Sequence, residues 1–220
     1  ISSRGYWLEQ SGRMSLNRVR LPLNWELARN ASADEPGVNW IPASVPGAVQ
    51  LDWARAHGLP DYTIGDNLRE WANLENSWWT YRSRPGMPAE RRDDERVFLV
   101  LTGVDYACDV FVDGRWLAAQ EGLQTPVEID VTDELSADSV LTVRIKPAPK
   151  SRPAPSDRTQ ADHSCKPAVA YGWDFHPRLI PLGLWNDAFL EVRANLHLST
   201  PPLLAYQLND ACDQATGQLE

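Results

Sequence analysis

Sulfur-bearing residues are scarce in this chain: three Cys and two Met among 220 residues. Cys108, Cys165 and Cys212 lie far apart and form no C-x-x-C pair, which argues against both a dense disulfide framework and a thiolate metal site. A Cys165–Cys212 disulfide fits the count, with nothing further to support it. Cys108 alternates with apolar residues and reads as a buried small hydrophobe. His57, His163, His176 and His197 show no H-x-x-x-H or H-E-x-x-H spacing, so no metal is expected. Long hydrophobic runs are missing too. The longest, Val97 to Leu101, is far too short to span a bilayer. Positive charge is in deficit, with Lys+Arg 21 against Asp+Glu 30 and a formal net charge of -9. That balance disfavours an electrostatic grip on nucleic acid or an anionic membrane. Neither G-x-S-x-G, G-x-x-x-x-G-K-[ST] nor G-x-G-x-x-G occurs, and no cofactor is expected. The chain starts at Ile1 without a signal-peptide pattern, so an export signal is absent or already removed, and the compartment (cytoplasmic, periplasmic or secreted) stays open.

What the chain does have is tryptophan. There are 10, against only 4 Phe and 6 Tyr. Indoles supply large apolar area and one N–H donor, which suits cores, interfaces and the apolar faces of sugars alike. A hydrophobic share of 43% is enough for a sizeable core and rules out disorder over the whole length.

The patterning is β-rich. Val97 to Leu101 predicts a central strand buried on both faces. Cys108, Val110 and Val112 alternate with Asp109, Phe111 and Asp113, which predicts a half-buried strand. The Asp113-Gly114 pair that follows, ahead of Arg115 to Ala118, predicts a hairpin in which both turn residues take positive φ. Period-two alternation also marks Val127 to Val131, Leu141 to Lys146, Leu190 to Arg193 and Trp78 to Arg82. A further strand is predicted within Val19 to Leu27, with Pro22 making it an edge candidate. Many short strands between turns predict an all-β sandwich or jelly roll with short helical turns. The one helix of note is Ala48 to His57, with Val49, Trp53 and Ala56 near one face and Gly58 at C′. Asp66 is a candidate N-cap for a short turn carrying Leu68 and Trp71. Pro147 to Asp162 reads as a long Pro-rich loop. Leu198 to Pro202 reads as a domain boundary.

Two groups of residues bear on chemistry. The carboxylates Asp93, Asp94 and Glu95, and Asp130, Asp133 and Glu134, read as solvated turn residues and caps. The stretch Lys166 to Arg178 is different. Gly172 and Pro177 bracket Trp173, Asp174, Phe175 and His176 directly after the Pro-rich loop. An ionised Asp is acceptor-only and accepts from two neighbouring sugar hydroxyls, while an indole covers the apolar face of a pyranose. The same residues fit a plainer arrangement, with Trp173 and Phe175 as core plugs and Asp174 as a turn cap or a partner of Arg178.

Five motifs in order carry a resemblance. They are Trp40-x-x-Ala-Ser-Val-Pro-Gly47, Asn76-Ser77-Trp78-Trp79-Thr80-Tyr81-Arg82, Gly103-Val104-Asp105 with Val112-Asp113-Gly114, Gly172-Trp173-Asp174-Phe175, and Gly183-Leu184-Trp185-Asn186. Over roughly residues 5 to 193 the chain resembles the N-terminal sugar-binding domain of glycoside hydrolase family 2, most nearly its β-mannosidase-like branch. The resemblance implies a jelly-roll β-sandwich of the galactose-binding type over 1–197. It implies that 198–220 is a linker and the start of an immunoglobulin-like sandwich, cut off midway. It also implies that the catalytic TIM barrel, with its two glutamates working by the retaining mechanism, lies on the same polypeptide outside these residues. The chain is thus expected to be an accessory carbohydrate-binding domain of a β-mannosidase- or β-galactosidase-like hydrolase, inert alone. A free-standing carbohydrate-binding module and a domain that only buttresses a barrel are the rival expectations.

By the same resemblance Trp173, Asp174 and Phe175 bind the terminal sugar of a β-glycoside, with Arg178 orienting Asp174. The implied partners are that sugar and the missing domains. Trp79, Tyr81 and Trp185 read as inter-sheet core, and Ser44 to Gly47 as a rigid loop in which Pro46 fixes φ and Gly47 allows a positive φ. Phe175 stands where the family has a second Trp, Asn186 where it has Arg, and Asp113 where it has Asn.

Overall fold

The structure is a computed structural model, and it describes residues 19–88, 91–194 and 204–219. Two antiparallel sheets make the body. One has the order β1 (Val19–Pro22), β12 (Ala188–Arg193), β5 (Arg96–Leu101) and β9 (Val127–Asp130). The other has the order β3 (Ile41–Ala43), β2 (Trp25–Asn30), β4 (Trp78–Ser83), β10 (Leu141–Ile145), β7 (Ala107–Val112) and β8 (Arg115–Glu121). The small pair β6 (Val104–Asp105) and β11 (Gly183–Leu184) joins their loops. This is the all-β sandwich expected.

The registers explain why the sheets face each other. Across the larger sheet Leu27 lies opposite Tyr81, Tyr81 opposite Val143 and Val143 opposite Val110, and all four are fully buried. Across the smaller sheet Leu21, Leu190, Leu99 and Ile129 form the matching row. Because side chains alternate with a period of two, each row sits on one face, and the two rows close on a shared apolar cluster. Central β5 is buried on both faces apart from Arg96 and part of Phe98, as its nearly continuous apolar run requires. Cys108 is wholly buried, and burial pushes its thiol up to about 12. Cys165 and Cys212 are both free thiols, so no disulfide joins them.

Several expectations are corrected. Val19 to Leu27 is not one strand. The chain leaves β1 after Pro22, which has no N–H to extend a ladder, and enters the other sheet as β2. β1 is indeed an edge strand. Helix α1 (Val49–His57) ends at Gly58 in the left-handed region, φ 67°, but it buries Val49, Gln50, Asp52 and Ala54 while Ala56 is exposed. Its polar buried residues have partners: Gln50 binds the backbone of Ile180 and Leu182, and Asp52 accepts from the Ser44 N–H. Asp66 precedes a 3-10 turn at Asn67–Glu70 but makes no side-chain cap. Gly47 is not at positive φ. It is required because a Cβ there would stand 2.4 Å from the Ser44 carbonyl oxygen.

Trp79 and Tyr81 are core, whereas Trp185 remains 39% exposed. Its ring covers Gly103, where a Cβ would come within 2.6 Å, and its N–H donates to the Leu123 carbonyl at 3.0 Å. It seals loops rather than sheets. Residues 204–219 form a hairpin of β13 (Leu204–Leu208) and β14 (Ala215–Leu219). The boundary at 197/198 and the Leu198 to Pro202 punctuation lie outside the described residues.

Asp113 and Gly114 form the β7–β8 turn with φ of 50° and 80°. The Asp113 carboxylate accepts from the Val140 N–H at 2.7 Å and the Ser139 hydroxyl at 2.8 Å, and these bonds hold its pKa below the usual carboxylate range. A lowered folded pKa stabilises the fold above the unfolded value, about 4, and that contribution is lost as pH falls through the folded value. Asp113→Asn keeps an acceptor for Val140 and removes the titration. Urea midpoints of wild type and D113N should therefore differ by a constant amount above about pH 4.5 and converge below it. A pH-independent difference would refute this role.

Candidate sugar-binding site

The excursion between β10 and β11 builds the site. At its end Trp173 and His176 exchange backbone hydrogen bonds, Trp173 N–H to His176 C=O at 2.9 Å and His176 N–H to Trp173 C=O at 3.2 Å. The tight turn this closes leaves Asp174 and Phe175 at its tip. Gly172 enters it at φ 107°, a conformation L side chains rarely adopt. Trp173 is 41% exposed and Phe175 is 80% exposed, so neither is a core plug. Asp174 is exposed and enters no hydrogen bond or ion pair among the described residues. The Nδ1 of His176 lies 2.6 Å from the Pro177 carbonyl, which accepts its proton.

Arg178 does not reach Asp174. Its guanidinium grips Glu75 through Nη2 at 2.7 Å and Nε at 3.2 Å, and also donates to the Gln160 amide oxygen at 2.7 Å. Glu75 is almost fully buried and takes a second cation, Lys150 Nζ at 2.6 Å. Gln160 spends its own N–H groups on the Arg152 and Pro153 carbonyls, and Tyr171 donates its hydroxyl proton to the Pro149 carbonyl. The Pro-rich loop and the Trp173 turn are thereby fastened to each other and to the 3-10 turn at Ala72–Asn76. An Arg fork on one carboxylate fixes direction as well as distance.

A second peg holds the middle of the excursion. Lys166 and Asp105 form an ion pair with both side chains nearly inaccessible, and Lys166 also donates to the Pro181 carbonyl at 2.7 Å. Burial pushes Asp105 up and Lys166 down, toward neutrality, against their mutual attraction. The Tyr106 hydroxyl accepts from the Cys165 N–H at 2.9 Å. Glu75, Lys150 and Gln160 were not singled out from sequence, and Lys166 entered only as the first residue of the Lys166 to Arg178 stretch. Isolated charged or amide residues in loops carry no periodic signal, and their pairing depends on long-range closure.

Beside the turn lies a groove of about 880 Å³, lined mainly by apolar side chains including Leu51, Tyr62, Leu68, Trp71, Val169 and Leu179. His176 and Pro177 of the turn form part of its wall. The carboxylate clusters elsewhere, Asp93 apart, are spent on arginines: Arg92 on Asp94 and Glu95, Arg96 on Asp130 and Asp133, Arg115 on Glu134. Among the described residues no group of three or more His, Cys, Asp or Glu side chains is placed to hold a metal ion.

An indole, a carboxylate and a phenyl ring thus share one tethered turn on an antiparallel sandwich. The family model described as glycosyl hydrolase 2 galactose-binding domain-like matches residues 25–186, and the chain belongs to that family. A β-mannosidase B of Aspergillus clavatus is 27% identical over 191 residues, which is 79% of this chain and 22% of the relative. A β-mannosidase of Rattus norvegicus is 24% identical over 196 residues, 80% of this chain and 21% of the relative. Among solved structures, the β-D-mannosidase of Dictyoglomus thermophilum shares the fold with a TM-score of 0.67 and 23% identity, covering 81% of this chain and 23% of that one. The chain therefore spans about a fifth of the length of the relatives it matches.

Glu75→Gln leaves the shape but removes the charge that two cations face. Breaking a buried pair this way costs about 3 to 5 kcal/mol, and about 2 to 4 kcal/mol is expected here because Arg178 and Lys150 keep 23% side-chain exposure. Urea denaturation checks the loss. Hydrogen exchange should rise at 147–178 more than in β5, and an equal rise everywhere would mean that Glu75 has no special hold on the turn.

Proposed function

We propose that this chain is the carbohydrate-binding domain of a longer retaining β-glycosidase of the β-mannosidase type, and that Trp173, Asp174 and Phe175 contact the terminal sugar. The observation that carries the reading is the display of the turn. Phe175 and Asp174 face solvent with their binding capacity unspent and Trp173 is 41% exposed, while Arg178 and Gly172 behind them are fixed. Such preorganisation lowers the cost of ordering when a ligand arrives. Arg178 serves the site by holding the turn through Glu75. The family membership and the β-mannosidase relatives support a neutral hexoside as ligand. On this reading the domain is inert alone, because the acid/base and nucleophile glutamates of the retaining mechanism sit in a barrel outside these residues.

The proposal includes the layout of the longer protein, with the jelly roll over 1–197 and the β13–β14 hairpin opening an immunoglobulin-like sandwich. The apolar groove beside the turn supports packing against another domain of the same polypeptide, since a cleft of that character is a usual contact surface.

Asp174→Ala in the longer enzyme tests the reading. A hydrogen bond to a charged group contributes about 1.5 to 3 kcal/mol, so kcat/KM should fall roughly 10- to 100-fold while the melting temperature stays put. An unchanged kcat/KM would reduce the domain to a buttress.

A further inference from the structure

Arg158 lies in the Pro-rich loop, on the 3-10 turn Arg158–Ala161 that Asp157 caps by accepting from the Thr159 N–H at 2.9 Å. Its guanidinium carbon sits 3.9 Å from the centre of the Trp173 ring. Two residues along, Gln160 holds Arg178. One short turn thus touches the site twice, once at its binding surface and once at its anchor.

The stacking has a chemical consequence. A guanidinium over an indole is attracted by the negative ring face, and its N–H groups stay free to donate in its own plane. Among the described residues those five donors enter no hydrogen bond or ion pair. Asp174, the next residue after the stacked ring, is a free acceptor. A sugar hydroxyl both donates and accepts, and the ring oxygen only accepts. A site with Asp174 alone satisfies half of that chemistry.

We propose that Arg158 is a ligand-contacting, specificity-determining residue of this site. It backs one face of Trp173, so the sugar takes the opposite face or the exposed edge, and it supplies the donors that Asp174 lacks. This rests on the sugar-binding reading of the Trp173 turn. Lysine would keep the charge and lose the flat, forked donor set.

The test is an NMR titration of the 220-residue chain, following the indole N–H of Trp173 as methyl β-D-mannopyranoside is added to wild type, Arg158→Ala, Arg158→Lys and Asp174→Ala. Arg158 is exposed, so melting temperatures should agree between wild type and the two Arg158 variants. The expected result is a Kd roughly five- to tenfold weaker for R158A, an intermediate value for R158K, and weakening for D174A as well. If wild type binds, D174A weakens it and R158A does not, the role of Arg158 is overturned and the sugar site stands. If the wild-type resonance does not move, the sugar site fails and Arg158 goes with it.

Discussion

The candidate site depends on one buried carboxylate. Glu75 sits in a 3-10 turn just ahead of β4, and it draws Arg178 and Lys150 from opposite ends of a long excursion onto itself. The turn that carries it is itself fixed to the core, because the Trp79 indole donates to the Leu74 carbonyl at 3.2 Å. The path from sandwich to exposed turn is therefore short: core indole, 3-10 turn, carboxylate, arginine, Trp173 turn. A lone buried anion would be strongly unfavourable, and two cations with partial access to water make it tenable.

The Lys166–Asp105 pair works on different terms. Both members are buried, so desolvation opposes the charged state of each, and their attraction keeps the pair together. It tethers the start of the site segment to β6, and through the Pro181 carbonyl it tethers the end. Glu75 gathers the two ends of the excursion, Lys150 and Arg178, and this pair holds its middle at Lys166. The intervening turn is left accessible without being loose.

Much of the fold was legible because burial imposes a period. Cys108, Val110 and Val112, or Leu141, Val143 and Ile145, can face the same way only in a strand, and β7 and β10 lie where that pattern stands. The Asp113-Gly114 turn was legible because positive φ at two adjacent positions narrows the choice of residues. β3, β6 and β11 were not legible, because two- and three-residue strands are too short to show a period. The site was half legible. Trp173, Asp174 and Phe175 stood out as a bracketed cluster, and they do share one turn. The partner of Arg178 was misread, since nearness in sequence favoured Asp174 while the folded chain offers Glu75, 103 residues away. Trp185 was misread for a related reason: motif membership says that an indole is needed but not which surface it covers.

The apolar groove beside the turn has a thermal consequence. Water released from such a surface gives a driving force that is mainly entropic near room temperature and carries a negative heat-capacity change. A body that seats itself in the groove is therefore held less firmly as the temperature drops. The ion pairs that hold the turn do not share this dependence. In the cold, the turn would keep its shape while its alignment with whatever covers the groove relaxed, so orientation and integrity of the site respond separately to temperature.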